Sequence, residues 1–178
     1  MALLSQNKSL KELSALIKHY PNFPSQGILF RDMNPILRDN FQDILILLKD
    51  AISDEMWDKI DLVAGIESRG FILASGLAAI ANKGFIPIRK LGKLPGKVKK
   101  EKYNLEYGTD QLEMSFGKGN VLLVDDVLAT GGTMHTACSL CESTNHKIVE
   151  ILVLINLKAL NNFSWNSKSP ISLVDYET

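Results

Sequence analysis

Several classes of function find little support in this sequence. Its two cysteines, Cys138 and Cys141, cannot build a disulfide framework, and no second Cys or His pair stands at zinc-site spacing. The 20 basic and 20 acidic side chains balance, which argues against an extensive nucleic-acid-binding surface. No apolar run reaches membrane-spanning length, and the first residues lack a secretory pattern. We therefore expect a cytoplasmic protein without nucleic-acid or membrane partners, whose cysteines are buried or half-buried free thiols.

The length and patterning of the chain predict one α/β domain over residues 1–178. Its 46% hydrophobic content is ordinary for a globular protein with one sizeable core. Helical and strand patterns alternate, which is typical of a mainly parallel sheet flanked by helices. We predict helices near residues 9–20, 41–52, 70–82 and 133–144, and strands near 60–65, 85–89, 121–124 and 148–157. A weaker alternation over residues 103–114 predicts a two-stranded excursion beyond the sheet.

The segment Val121–Thr133, which reads VLLVDDVLATGGT, predicts a phosphate-binding turn after a buried strand. Thr130 to Thr133 can present backbone N–H groups and hydroxyls to an anion at the start of a helix. Asp125 and Asp126 are acceptors suited to vicinal ribose hydroxyls, but they would repel bare phosphate. Together these features indicate a ribose 5-phosphate pocket. The alternative is an ordinary strand-to-helix turn in which the acids cap the helix.

Two further segments add positive charge. Glu67-Ser-Arg-Gly70 follows an apolar strand and opens a helix, which makes a second candidate anion turn containing Arg69. A basic stretch follows the next strand, and its members are Arg89, Lys90, Lys93, Lys97, Lys99, Lys100 and Lys102. These cations could neutralise an anionic leaving group under a mobile lid. The alternatives are a surface ion pair for Arg69 and a solvated face for the lysines.

VLLVDDVLATGGT resembles the phosphoribosyl pyrophosphate signature of the type I phosphoribosyltransferases. Four more segments resemble the adenine phosphoribosyltransferases in order and spacing: FPSQGILFRD at 23–32, GIESRGF at 65–71, IRKLGKLPG at 88–96 and YNLEYG at 103–108. The resemblance implies the type I phosphoribosyltransferase fold, a mainly parallel sheet flanked by helices. It also implies a small N-terminal hood at about residues 20–36, a mobile basic lid at about 91–118, and a homodimer.

The resemblance also implies roles for individual residues. Asp125 and Asp126 would bind the ribose. The 5-phosphate would be bound by Ala129, Thr130, Gly131, Gly132 and Thr133. Pyrophosphate would be bound by Ser68, Arg69, Arg89, Lys90 and Lys93, with a non-proline cis peptide common in this turn. Adenine would be bound by Leu29, Phe30 and Arg31, mostly through backbone groups. Glu106 and Arg69 would be catalytic, with the Glu106 carboxylate accepting a proton from adenine or stabilising positive charge on the sugar.

The reaction implied is transfer of 5-phosphoribose from phosphoribosyl pyrophosphate to adenine, giving AMP and pyrophosphate in purine salvage. Mg²⁺ would be carried on the phosphoribosyl pyrophosphate, without direct side-chain ligation. One alternative is a phosphoribosyltransferase for an oxopurine. Another is a non-catalytic regulator that senses phosphoribosyl pyrophosphate and binds RNA or DNA.

The three histidines carry no recognisable catalytic pattern. His19, His135 and His146 stand at no useful spacing from a nucleophile or from another ligand, so surface or capping roles are expected. His135 lies in the first turn after the phosphate loop, where the family commonly has a smaller or aliphatic residue.

Overall fold

The computed structural model describes residues 8–105 and 108–177, which fall into two compact units with the boundary after Asp50. The first unit contains α1 (Leu10–Ser14), β1 (Lys18–Pro21), β2 (Leu29–Asp32), α2 (Asn34–Asp39) and α3 (Phe41–Asp50). β1 and β2 form a separate antiparallel pair. The single-domain arrangement stays a prediction.

The first helix begins as predicted and ends early. The Ser9 side chain accepts the N–H of Glu12, and the Glu12 carboxylate accepts the N–H of Ser9, so the capping box is present. The predicted end near Tyr20 is wrong, because α1 stops at Ser14. Strand β1 then begins at Lys18 and pairs with β2. Long-range strand pairing therefore overrides the helical spacing of the apolar residues there.

The second unit is built around a seven-stranded sheet in the order β5-β6-β4-β3-β7-β8-β9. Its elements are α4 (Asp54–Trp57), β3 (Leu62–Ile66), α5 (Arg69–Ile80), β4 (Gly84–Lys90), β5 (Val98–Leu105), β6 (Gly108–Ser115), β7 (Gly119–Leu128), α6 (Gly132–Ser143), β8 (His146–Leu157), a 3₁₀ turn (Lys158–Leu160) and β9 (Ile171–Tyr176). Strands β4, β3, β7, β8 and β9 are parallel. The predicted parallel α/β pattern is therefore confirmed.

The predicted two-stranded excursion is present but does not stand beyond the sheet. Strands β5 and β6 form an antiparallel hairpin, and β6 pairs with β4 through Arg89 opposite Glu113. The hairpin therefore extends the sheet at its edge. Strand β9, at the other edge of the sheet, was not predicted. Its side chains are mostly half-buried, and its residues do not show the clear alternation of apolar and polar side chains that indicates a strand.

Two glycines allow helix α5 to lie close to the sheet. A Cβ at Gly65 would stand 2.7 Å from the Cβ of Ala74 in α5. A Cβ at Gly70 would stand 2.6 Å from Oδ1 of Asp125 in β7. Since β3 and β7 are neighbours, the N-termini of α5 and α6 open at adjacent strand ends. This packing brings the two predicted anion turns together at the carboxyl ends of β3 and β7.

Candidate active site

The acid pair lies within β7, which runs to Leu128 and past the predicted end at residue 124. Asp126 is buried, and its Oδ2 lies 2.7 Å from the Arg69 guanidinium. Asp125 is half-buried, and its Oδ1 accepts the backbone N–H of Asp126 at 2.9 Å. Desolvation raises the pKa of Asp125, and the Asp126 carboxylate raises it further. The raised pKa of Asp125 therefore reflects its burial first and the neighbouring Asp126 carboxylate second.

The first anion turn follows β7. Gly131 precedes α6 with a φ of 90°, a left-handed conformation that favours glycine. A cavity of about 80 Å³ is lined by Asp125 and by residues 127–134. The side-chain amide of Asn161 donates to the carbonyl of Ala129 at 2.7 Å, and the Phe163 ring packs against Gly131. These two contacts support the turn from the segment after β8, and sequence reasoning missed both.

The second anion turn opens α5. The Glu67–Ser68 peptide bond is cis, as the resemblance implies, and Ser68 precedes the first helical residue, Arg69. The Glu67 carboxylate accepts hydrogen bonds from Arg89 at 3.2 and 3.4 Å and from the backbone N–H of Lys90 at 2.9 Å. Desolvation raises the pKa of Glu67, but these hydrogen bonds outweigh it and leave the pKa below its usual value. A charged Glu67 therefore holds the start of the basic stretch beside the turn.

The β5–β6 hairpin carries polar contacts to the first turn. The Tyr103 hydroxyl lies 3.3 Å from Asp110 and also interacts with Thr133. Lys90 forms an ion pair with Asp110 at 3.4 Å. Desolvation, followed by the charge of Asp110, raises the pKa of Tyr103, so its hydroxyl stays protonated and can donate. The predicted catalytic residue Glu106 lies outside the described residues.

The remaining predicted site residues are placed as follows. Lys93 is exposed in the turn after β4, and its charge acts on Glu67. Leu29, Phe30 and Arg31 belong to β2 in the first unit. Arg31 is buried, and the Phe30 ring packs edge-to-face on Phe23 at 5.1 Å. Their contact with a base stays a prediction.

Two of the histidines and both cysteines make packing contacts. His146 is buried and hydrogen-bonded through Nδ1 to the Thr144 hydroxyl at 2.9 Å, so the expected surface position is wrong for it. The capping alternative stays a prediction. The sequence carried no signal of this burial. The His146 ring packs against Gly117, a contact that only the folded structure shows. His135 packs edge-to-face on Trp165 at 4.9 Å. Cys138 and Cys141 are buried free thiols, as predicted.

Within residues 8–105 and 108–177, no group of three or more His, Cys, Asp or Glu side chains is arranged to hold a metal ion. Of the helices in these same ranges, none is long and apolar enough to span a membrane.

Two helix N-termini beside a carboxylate pair, at neighbouring ends of parallel strands, are typical of proteins that bind a phosphorylated sugar. The model of the Phosphoribosyl transferase domain family matches residues 37–165. The adenine phosphoribosyltransferase of Bdellovibrio bacteriovorus is 46% identical over 165 residues, which is 93% of this chain and 99% of that protein. The one from Nitrosopumilus maritimus is 48% identical over 166 residues, or 90% and 96% of the two chains.

Solved structures agree with these sequence relatives. The crystal structure of adenine phosphoribosyltransferase from Thermoanaerobacter pseudethanolicus has a TM-score of 0.86 and 37% identity, and the match covers 94% of this chain and 100% of that one. The Saccharomyces cerevisiae enzyme, in complex with adenine and an iminoaltritol bisphosphate, has a TM-score of 0.80 and 39% identity over 85% and 90%. The chain belongs to the phosphoribosyltransferase family and, within it, to the adenine phosphoribosyltransferases. The predicted fold and family are confirmed.

Proposed function

We propose that this protein transfers 5-phosphoribose from phosphoribosyl pyrophosphate to adenine and releases AMP and pyrophosphate, as in purine salvage. The observation that best supports this function is the Arg69–Asp126 ion pair, which connects the two anion turns across the acid pair. The complex of the yeast relative with adenine adds support for the base.

Each part of the site has a role in this proposal. The first turn, Ala129 to Thr133, binds the 5-phosphate through its amides and hydroxyls. Asp125 and Asp126 accept hydrogen bonds from the ribose hydroxyls. Pyrophosphate is bound by Ser68, Arg69, Arg89, Lys90 and Lys93. The cations then stabilise the negative charge that develops on pyrophosphate as the glycosidic bond breaks.

The chain promotes the reaction mainly by alignment and by charge. Holding the 5-phosphate and pyrophosphate at separate turns fixes the anomeric carbon between the adenine nitrogen and the leaving oxygen. In this proposal, Glu106 accepts the proton that adenine loses. Mg²⁺, when bound with the phosphoribosyl pyrophosphate, would supply charge neutralisation. The carboxylate oxygens of Asp125 and Asp126 are hard acceptors that suit the water shell of such a cation.

The remaining assignments extend the same proposal. Leu29, Phe30 and Arg31 in the hood, residues 20–36, bind adenine and give specificity, because an oxopurine would leave buried backbone partners unpaired. Residues 91–118 act as the lid that excludes water. We also propose a cytoplasmic homodimer that does not bind nucleic acid.

The test is pyrophosphate release with phosphoribosyl pyrophosphate and Mg²⁺, using adenine, hypoxanthine, guanine and xanthine in separate reactions. Release with adenine alone, strongly reduced in Glu106→Gln, is expected. Release with an oxopurine alone would contradict the hood assignment. No release with any base, together with salt-sensitive nucleic-acid binding, would favour the sensing regulator.

A further inference from the structure

Glu113 is a fully buried carboxylate that the proposed reaction does not use. It lies in β6 between the buried residues Leu112 and Met114, and its exposed fraction is 0%. Burying a carboxylate is costly unless hydrogen bonds stabilise its charge. Its presence in the core of the hairpin therefore requires specific partners.

Those partners are backbone amides of the turn after β4. Oε1 of Glu113 accepts the N–H of Lys93 at 2.6 Å and the N–H of Leu94 at 2.7 Å. The N–H of Gly92 also stabilises the carboxylate, and Gly92 has a φ of 77°. Three successive amides that converge on one anion form a nest, a backbone arrangement that often binds phosphate. Here an internal carboxylate occupies the nest.

The Glu113 carboxylate is charged in the folded protein. Desolvation raises its pKa, but the amides of Gly92, Leu94 and Lys93 and the charge of Lys100 outweigh this effect and lower it. The turn that it binds carries Lys93, whose charge reaches Glu67 beside the second anion turn. Glu113 also lies directly opposite Arg89 in the β4–β6 pairing. The carboxylate thus connects strand β6 to the beginning of the basic segment.

We propose that Glu113 is a positioning residue for phosphoribosyl pyrophosphate: it fills the amide nest of residues 92–94 and so fixes the turn that carries Lys93. Since the nest is occupied, the turn acts on pyrophosphate through the Lys93 side chain and not through its own amides. This inference rests on the proposed function.

The test compares Glu113→Gln with Glu150→Gln, a control on strand β8 outside the lid, whose carboxylate accepts the backbone N–H of Ile151 at 3.0 Å instead of contacting the turn. Glu113→Gln is expected to weaken phosphoribosyl pyrophosphate binding, measured by calorimetry and as KM, about tenfold, as for loss of a charged hydrogen bond. The KM for adenine stays unchanged. Amide hydrogen exchange at Lys93 and Leu94 becomes about tenfold faster or more, because the turn opens more often. Glu150→Gln changes none of these.

A double-mutant cycle separates positioning from general destabilisation. If Glu113 acts through Lys93, the effects of Glu113→Gln and Lys93→Ala on binding are less than additive. Additive effects, or faster exchange with unchanged binding, would overturn the proposal. Glu113→Asp, which keeps the charge but shortens its reach, provides the same comparison if Glu113→Gln folds poorly. Wild-type turnover with adenine decides the proposed function separately, since the calorimetric comparison needs no turnover.

Discussion

The guanidinium of Arg69 and the carboxylate of Asp126 form an ion pair at 2.7 Å that links the first residue of α5 to the buried end of β7. Arg69 would bind pyrophosphate and Asp126 would bind ribose. The pair therefore couples the two halves of the proposed phosphoribosyl pyrophosphate site. Substitution of Asp126 tests this coupling.

Asp126→Asn should lower kcat/KM for phosphoribosyl pyrophosphate about 10- to 100-fold, because the ion pair with Arg69 is lost and the ribose hydroxyls meet a neutral side chain. Steady-state kinetics with saturating adenine measures this. Asp175→Asn is the control, since it breaks the Lys158–Asp175 pair, which has the same 2.7 Å separation but is more exposed. Equal losses in both variants would contradict a specific role for Asp126.

Gly70→Ala should abolish most activity. The added methyl would stand 2.6 Å from Oδ1 of Asp125 and 3.2 Å from the carbonyl of Val124, so α5 or the acid pair must shift. A misplacement of this kind can cost roughly 100-fold in rate. Ser75→Ala, at an exposed position of the same helix, is the control. Full activity of Gly70→Ala would show that the close approach of α5 and β7 is unimportant.

Asn161→Ala should raise the KM for phosphoribosyl pyrophosphate and leave the KM for adenine unchanged. The lost amide supports the Ala129 carbonyl at the base of the 5-phosphate turn and also bridges to Asn156 at 3.1 Å. We expect about a tenfold change, as for one or two hydrogen bonds. The neighbouring exposed asparagine offers a matched control, Asn162→Ala. A similar KM in the two variants would argue against this support.

The stability of the protein should fall as the pH drops below about 6.5, the usual pKa of histidine. Burial lowers the pKa of His146 in the folded state, so the unfolded chain takes up its proton at a higher pH. The contribution of neutral His146 is therefore complete above the unfolded pKa and is lost as pH falls through the folded pKa. We expect the difference in free energy of unfolding between wild type and His146→Gln, measured by urea unfolding, to shrink as the pH falls from 8 to 5. Gln42→Ala, an exposed change that removes no titratable group, should keep a constant gap.

Neither thiol should react with an aromatic disulfide reagent while the protein is folded. Cys138 and Cys141 are both buried, and burial raises the pKa of Cys141 to about 12. Little thiolate is then present near neutral pH. Both thiols should react once urea unfolds the chain. Rapid modification in buffer without denaturant would contradict the packing of α6.

Much of the second unit could be predicted because its signals are local. The apolar run Val121–Val124 indicated a buried strand, and the glycine turn after it indicated an anion site at a helix start. The capping box of α1 was equally readable, since its contacts span three residues. The end of α1 was not, because the pairing of Lys18 with Asp32 is a long-range interaction. Strand β9 escaped prediction for a related reason, as its pairing with β8 decides its conformation.

By itself, the sequence determined the family, the α/β class and the identities of the acids and glycines in the turns, because each depends on short motifs with a direct chemical meaning. Only the tertiary structure decided that Arg69 meets Asp126, that Glu67 holds Arg89, and that Asn161 supports the phosphate turn. The same is true of the burial of Glu113 and His146. These relationships join residues from different strands, turns and helices, and their distances depend on how the sheet and helices pack rather than on spacing along the chain.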